Sequence, residues 1–316
     1  MSTPQTRRQH SFILGCWQLD DRSWTSLPLD EVERVIDTYL AWGVNTFDTA
    51  DIYGRSEKLL GQFLKGRADT KIFTKMVFFR EIPTAQQIQY KLDNSLRNLQ
   101  RDYLDNVQVH WHSPSLDFAP LWDTLRTLHD RGKIRQLGVT NFTTPMLKQA
   151  LAYAPISTHQ VQYSLIDRRV ENTMQALCLE RGITLLPYGA IAGGFLSDKF
   201  VNVPHLSQEF DHARSFYYNT MIDHHGGWSG VHQLLQVMAK IGKSYDLSVA
   251  QVALNWLHHQ PGVGQIITGL TTHRPQIQQN MEALDRDISA ADLQTLADTS
   301  TALIPQQGDI YSYERG

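Results

Sequence analysis

The sequence predicts a single (β/α)8 barrel, and three observations carry that reading. Eight short apolar runs, rich in β-branched residues, alternate with amphipathic helical patterns along the 316 residues. Strict alternation of strand and helix implies a parallel sheet, and eight such units close into a barrel better than they extend an open sheet. Polar side chains collect at the C-terminal ends of the runs, the face on which barrel enzymes build their sites.

In chain order, the first strand is predicted at 12–16 (FILGC). A helix over 30–42 follows, because Val32, Val35, Ile36, Tyr39 and Leu40 fall at i, i+3, i+4, i+7 and i+8. Strands are then expected at 45–48 (NTFD) and 71–76 (KIFTKM). Ile88, Leu92, Leu96 and Leu99 form the next helical stripe, ahead of a strand at 105–110 (DNVQVH). Leu121, Leu125 and Leu128 make a third stripe, followed by strands at 134–140 (IRQLGVT), 159–163 (HQVQY) and 183–188 (ITLLPY). Ser248 reads as the N-cap of a helix carrying Val249, Val252, Ala253, Trp256 and Leu257. The eighth strand is predicted at 264–268 (GQIIT). The interval before it is unusually long and holds AIAGGFLSDKF and HHGGWSG, which read as a long glycine-containing loop.

Composition excludes several function classes. The chain is 41% hydrophobic and 19% charged, which rules out disorder and coiled coil as descriptions of the whole. A net charge of −3 offers no basic excess for a nucleic-acid backbone. No apolar run is long enough to span a membrane, and no signal peptide opens the chain, so a cytoplasmic protein is expected. Cys16 and Cys178 alone make neither a disulfide framework nor a zinc site and read as small buried residues.

Asp48 ends the second predicted strand, Lys75 nearly ends the third and His110 ends the fourth. Thr140 and Asn141 close the fifth, Gln162 the sixth and Tyr188 the seventh. Any one of these has a structural explanation, as a cap or a solvated strand end. Together they form a polar ring that a packed core would not tolerate. Tyr53 lies five residues past Asp48, in the loop facing the same space. Its phenol can donate a proton, and a neighbouring Lys75 ammonium is expected to lower its pKa. Asp48 would keep that ammonium charged, and His110 can hydrogen-bond a substrate oxygen. The set suits protonation of an oxyanion developing on a carbonyl. The missing hydride source is a nicotinamide cofactor.

At these residues the chain resembles the aldo-keto reductase superfamily, through FDTADIYGRSEKLLG, KIFTKM, VQVHW, GVTNF and HQVQYS. The resemblance implies a catalytic tetrad of Asp48, Tyr53, Lys75 and His110, with Tyr53 the general acid. It implies that Asn141 and Gln162 hold the nicotinamide carboxamide and that Tyr188 stacks under the ring. GCW places Trp17 near the substrate, with Trp111 beside His110. Ile191, Gly194, Leu196 and Lys199 are implied contacts of the loop over the pyrophosphate. IITGLTTHRPQIQQN resembles the segment that clasps the adenosine 2′-phosphate, which brings in Arg274, Gln279 and Asn280. Two departures stand out. Gly189-Ala190 replaces the usual Ser-Pro, and Leu270-Thr271-Thr272 replaces the usual Lys or Arg after the glycine. The resemblance therefore favours NADP(H) and leaves NAD(H) open. It also implies a small carbonyl or alcohol substrate and a monomer or small homo-oligomer.

Two other readings compete with this one. His110-Trp111-His112 puts two imidazoles on one strand face, the start of a metal site, but no later strand end completes it, so no metal is expected. The same barrel also serves relatives as a cofactor-binding regulatory subunit of ion channels. Turnover of a reduced nicotinamide separates that role from an enzyme.

Overall fold

The computed structural model describes residues 11–78, 83–110, 119–206, 213–303 and 308, with side chains left out of consideration at 213–217. Its eight strands are β1 Phe12–Gly15, β2 Thr46–Asp48, β3 Lys71–Val77, β4 Asn106–His110, β5 Leu137–Thr140, β6 Ile156–Gln162, β7 Thr184–Tyr188 and β8 Ile266–Gly269. All pair in parallel, each with its sequence neighbour, and β1 pairs with β8. The ring closes through Leu185 of β7, whose N–H donates to Gly262 O at 2.8 Å while Gly264 N–H donates back to Leu185 O at 3.0 Å. The predicted barrel is what forms, with every strand in its predicted place. β5 starts three residues late, with Ile134 in an isolated bridge to Leu104, and its pairing with β6 shifts register at Leu137/Gly138.

Helices cover the outside: α1 Leu29–Ala41, α2 Ser56–Phe63, α3 Ala85–Leu99, α4 Ala119–Asp130, α5 Thr144–Leu151, α6 Met174–Arg181, α7 Ala213–His224, α8 Gly227–Tyr245, α9 Val249–His258, α10 Arg274–Met281 and α11 Ala290–Thr301. The predicted stripes are their inner faces, and Ile88, Leu92, Leu121, Leu125, Val32 and Ile36 are fully buried. Ser248 caps α9 as expected, in a capping box with Gln251. Among the described residues no helix is long and apolar enough to cross a membrane.

The long interval after β7 corrects the sequence reading. Only its first part is loop, with short 3₁₀ turns at Ala192–Gly194 and Asp198–Phe200. HHGGWSG is the corner between two helices, where Gly226 takes φ 94° to start α8. His225 is buried, and its Nε2 lies 3.5 Å from Asp167 Oδ1.

Two apolar clusters divide the core. The large one fills the space between sheet and helices, while the small one, Ile13, Phe73, Leu186 and Ile267, lies inside the barrel. The opposite side of the barrel interior is polar, because alternate residues of β4 and β6 (Asn106, Gln108, His110; Thr158, Gln160, Gln162) share the inward face. Gly138 makes room for them. A Cβ there would lie 2.2 Å from Thr158 Oγ1 and 2.9 Å from Gln108 Cγ.

Candidate active site

Asp48 and Lys75 are the charged centre of that polar half. Register pairs Asp48 with Phe73, so Lys75, two residues on, shares the inward face one step nearer the C-terminal rim. Their side chains are 5% and 1% exposed, which makes an unpaired charge at either position very costly. Lys75 Nζ donates to Asp48 Oδ2 at 2.5 Å and to Thr49 O at 2.8 Å. Asp48 Oδ1 accepts from Gln160 Nε2 at 2.8 Å and from Gln108 Nε2 at 3.3 Å. Gln108 Oε1 in turn accepts from Thr140 Oγ1 at 3.4 Å. Burial, the largest single influence, works to neutralise Lys75, but the Asp48 carboxylate and the Tyr53 side chain together offset it and hold the ammonium above its ordinary pKa.

Tyr53 sits in the loop after β2, half-buried, with Lys75 Nζ 5.0 Å from its ring centroid. The expected lowering of its pKa is not what the surroundings produce. Burial pushes the phenol up, the Lys75 ammonium pulls it down without offsetting that, and Asp48 adds to the rise. Tyr53 is therefore held protonated at neutral pH, ready to donate. His110 completes the group from the last residue of β4, buried opposite Val77.

Asn141 follows β5 with φ 60°, a left-handed conformation that Asn tolerates better than most residues. Its N–H donates to Gln160 O at 3.0 Å, and its Oδ1 accepts from Tyr188 Oη at 3.3 Å. The next N–H, of Phe142, donates to Nε2 of the buried His159 at 3.2 Å. The geometry therefore brings Asn141 and Tyr188 together. Gln162, also buried, directs its amide at the thioether of Met221 on α7.

Beside Tyr188 a cleft of about 530 Å³ opens between the loops after β1, β7 and β8. Trp17 and Trp24 line one wall, edge to face at 5.3 Å. Ile191, Gly193 and Gly194 line the second, with Tyr218 of α7 lying against Gly193. Leu270, Thr271, Thr272, Gln276 and Asn280 line the third. The remaining predicted contacts fall elsewhere. Leu196 is buried in the outer core, and the exposed Lys199 places Nζ 5.3 Å from the Phe200 ring. Arg274 and Gln279 are exposed on α10, outside the cleft lining. Trp111 lies outside the described residues.

Sequence reasoning missed Gln108, Gln160, His159, Trp24 and Tyr218. A signal existed for the glutamines, since NVQVH and HQVQY alternate polar and apolar residues with the period of a strand. None marks Tyr218, whose place depends on how α7 packs. Among the described residues, no group of three or more His, Cys, Asp or Glu is placed to hold a metal ion.

Comparison with known proteins identifies the family. The model of the aldo/keto reductase family matches residues 11–300. The aldo-keto reductase YhdN of Bacillus subtilis is 30% identical over 277 residues, covering 81% of this chain and 80% of its own. The NADH-specific methylglyoxal reductase of Escherichia coli is 27% identical, covering 92% of this chain and 94% of its own. A solved aldo-keto reductase from Klebsiella pneumoniae in complex with NADPH superposes with TM-score 0.71 at 22% identity, over 93% of this chain and 91% of that one. With its barrel and its buried Asp48–Lys75 pair, the chain belongs to the aldo/keto reductase family, as an oxidoreductase.

Proposed function

We propose that this site reduces an aldehyde or ketone to an alcohol, or runs the reverse, with a nicotinamide dinucleotide held in the cleft. The observation that carries the proposal is the buried Lys75–Asp48 pair beneath a Tyr53 that stays protonated. The residues present fit such a cofactor. Gly194 leaves the cleft wall bare for close backbone approach, with nothing within 4 Å of where a Cβ would stand. Asn280 lines the cleft, and Tyr188, bonded to Asn141, immediately precedes the lining residue Gly189. When bound, the dinucleotide supplies the hydride to the carbonyl carbon, or takes it from the alcohol carbon in the reverse direction.

The chain's own residues handle the proton. Tyr53 Oη donates to the substrate oxygen and gives up its proton as negative charge develops there. The phenolate left behind lies beside the Lys75 ammonium, 5.0 Å from the ring centroid, so its charge is met at once. Asp48, with Gln108 and Gln160 on its second oxygen, keeps that ammonium charged and fixed. His110 offers a second hydrogen bond to the same oxygen, and Trp17 walls the entrance.

The test is Tyr53→Phe, which removes one hydroxyl from a half-buried ring. Turnover of a reduced nicotinamide with an aldehyde panel should fall at least about a hundredfold, while dinucleotide binding stays within about twofold of wild type. Near-normal turnover in the variant would sink Tyr53 as the acid. Tight cofactor binding by the wild type without any turnover would favour the regulatory-subunit role.

A further inference from the structure

We infer that the cleft selects NAD(H) over NADP(H), against the preference that the family resemblance suggests; the inference rests on the cleft being the dinucleotide site. Among the described residues, no Lys, Arg or His lines the cleft at any point. Both dinucleotides carry the same pyrophosphate, so that part cannot discriminate. They differ by a 2′-phosphate, which brings up to two further negative charges near neutral pH. A 2′-phosphate within the cleft meets no cation among the described lining residues.

The polar groups that do line the cleft are neutral, and several are already engaged. Gln18 Oε1 accepts from Leu270 N–H at 3.2 Å. Thr271 Oγ1 donates to Gln276 Oε1 at 3.3 Å and accepts from His273 N–H at 3.2 Å. Hydroxyls and amides of this kind suit a ribose hydroxyl, which both donates and accepts. A phosphate dianion needs charge-assisted partners, and neutral hydrogen bonds are roughly half as strong. The first turn of α10 adds at most about half an elementary charge.

Two cations that the family resemblance brings in lie outside the described lining, as does His273. Lys199 lies on the Phe200 ring in the turn Asp198–Phe200, and Arg274 is exposed at the start of α10. Arg274 is the strongest counter-candidate, because a long side chain at that position can swing. It therefore enters the test as a variant.

Trp17 and Trp24 line the cleft, so quenching of tryptophan fluorescence reads binding directly, without substrate or turnover. The full-length protein is titrated with NADH and NADPH, and with AMP and 2′-AMP by calorimetry. The dissociation constant for NADH should be at least about tenfold below that for NADPH, with AMP favoured over 2′-AMP. Thr272→Arg should tighten NADPH at least about fivefold relative to NADH, and Arg274→Ala should leave the ratio of the two where it is in the wild type. Equal or tighter NADPH binding by the wild type overturns the preference alone, most directly if Arg274→Ala then abolishes it. Failure of both dinucleotides to bind overturns the reading of the cleft and the preference with it.

Discussion

His159 shows how a residue with no contact to substrate can decide the geometry of one that has it. It is fully buried in β6, and burial alone lowers its pKa to about 3. The neutral ring accepts the Phe142 N–H on Nε2, immediately after the left-handed Asn141. Replacing it by Phe removes the His159 acceptor from that buried N–H, which costs about 1–3 kcal/mol. Thermal denaturation of His159→Phe should show a Tm several degrees lower, with His159→Gln recovering part of it through its amide oxygen. An unchanged Tm in the Phe variant would remove His159 from this role. Asp48→Asn is the harsher case, since it strips Lys75 of its only carboxylate partner among the described residues. Its expected cost is about 3–5 kcal/mol, read from the denaturant midpoint. At this scale Asp48, Lys75, His110 and Tyr53 were legible because each falls at or just past a strand end. His159 was not, because a burial-shifted histidine inside a strand looks like any other strand residue until its neighbours are known.

At the scale of elements, strands were legible from short β-branched runs, and helices from stripes such as Val32–Ile36–Tyr39. α7 was not, because ARSFYYNTMIDH mixes aromatic, polar and charged residues without a stripe, and packing alone makes it a helix. Yet α7 brings Tyr218 to the cleft wall and Met221 to Gln162. The Tyr218 ring lies so close to Gly193 that a Cβ there would meet Cδ2 at 2.3 Å. Gly193 also has φ 65°, which adds roughly 1–2 kcal/mol for any side chain. Gly193→Ala should therefore destabilise the protein and weaken dinucleotide binding, through strain and steric conflict together. Adding Tyr218→Ala separates the two. The double variant should recover the steric part, giving a coupling above about 0.5 kcal/mol in a double-mutant cycle. Additive losses would mean that the ring and the glycine do not touch in solution.

For the molecule as a whole, the pH dependence of stability follows from which groups the barrel buries. His159 and His225 both have pKa values depressed by burial. For His225, Asp167 opposes the shift while Arg169 and His224 reinforce it. An unfolded histidine titrates near pH 6.5, so the unfolded chain takes up these protons first. The stability that the neutral rings provide is complete above that pH and is lost as pH falls toward the folded values, about 3 for His159. Asp51 and Glu57 act in the opposite sense, since burial raises their pKa values and the folded state holds their protons longer. The wild-type profile is thus a sum of opposing slopes, and a difference between two proteins isolates one of them. Urea denaturation from pH 7.5 to 4.5 should show the wild type losing stability relative to His159→Gln. Well below pH 6 the difference should grow by up to about 1.4 kcal/mol per pH unit, the linkage of a single proton. Parallel profiles would mean that His159 titrates alike in the folded and unfolded states, so that the barrel does not hold its ring neutral.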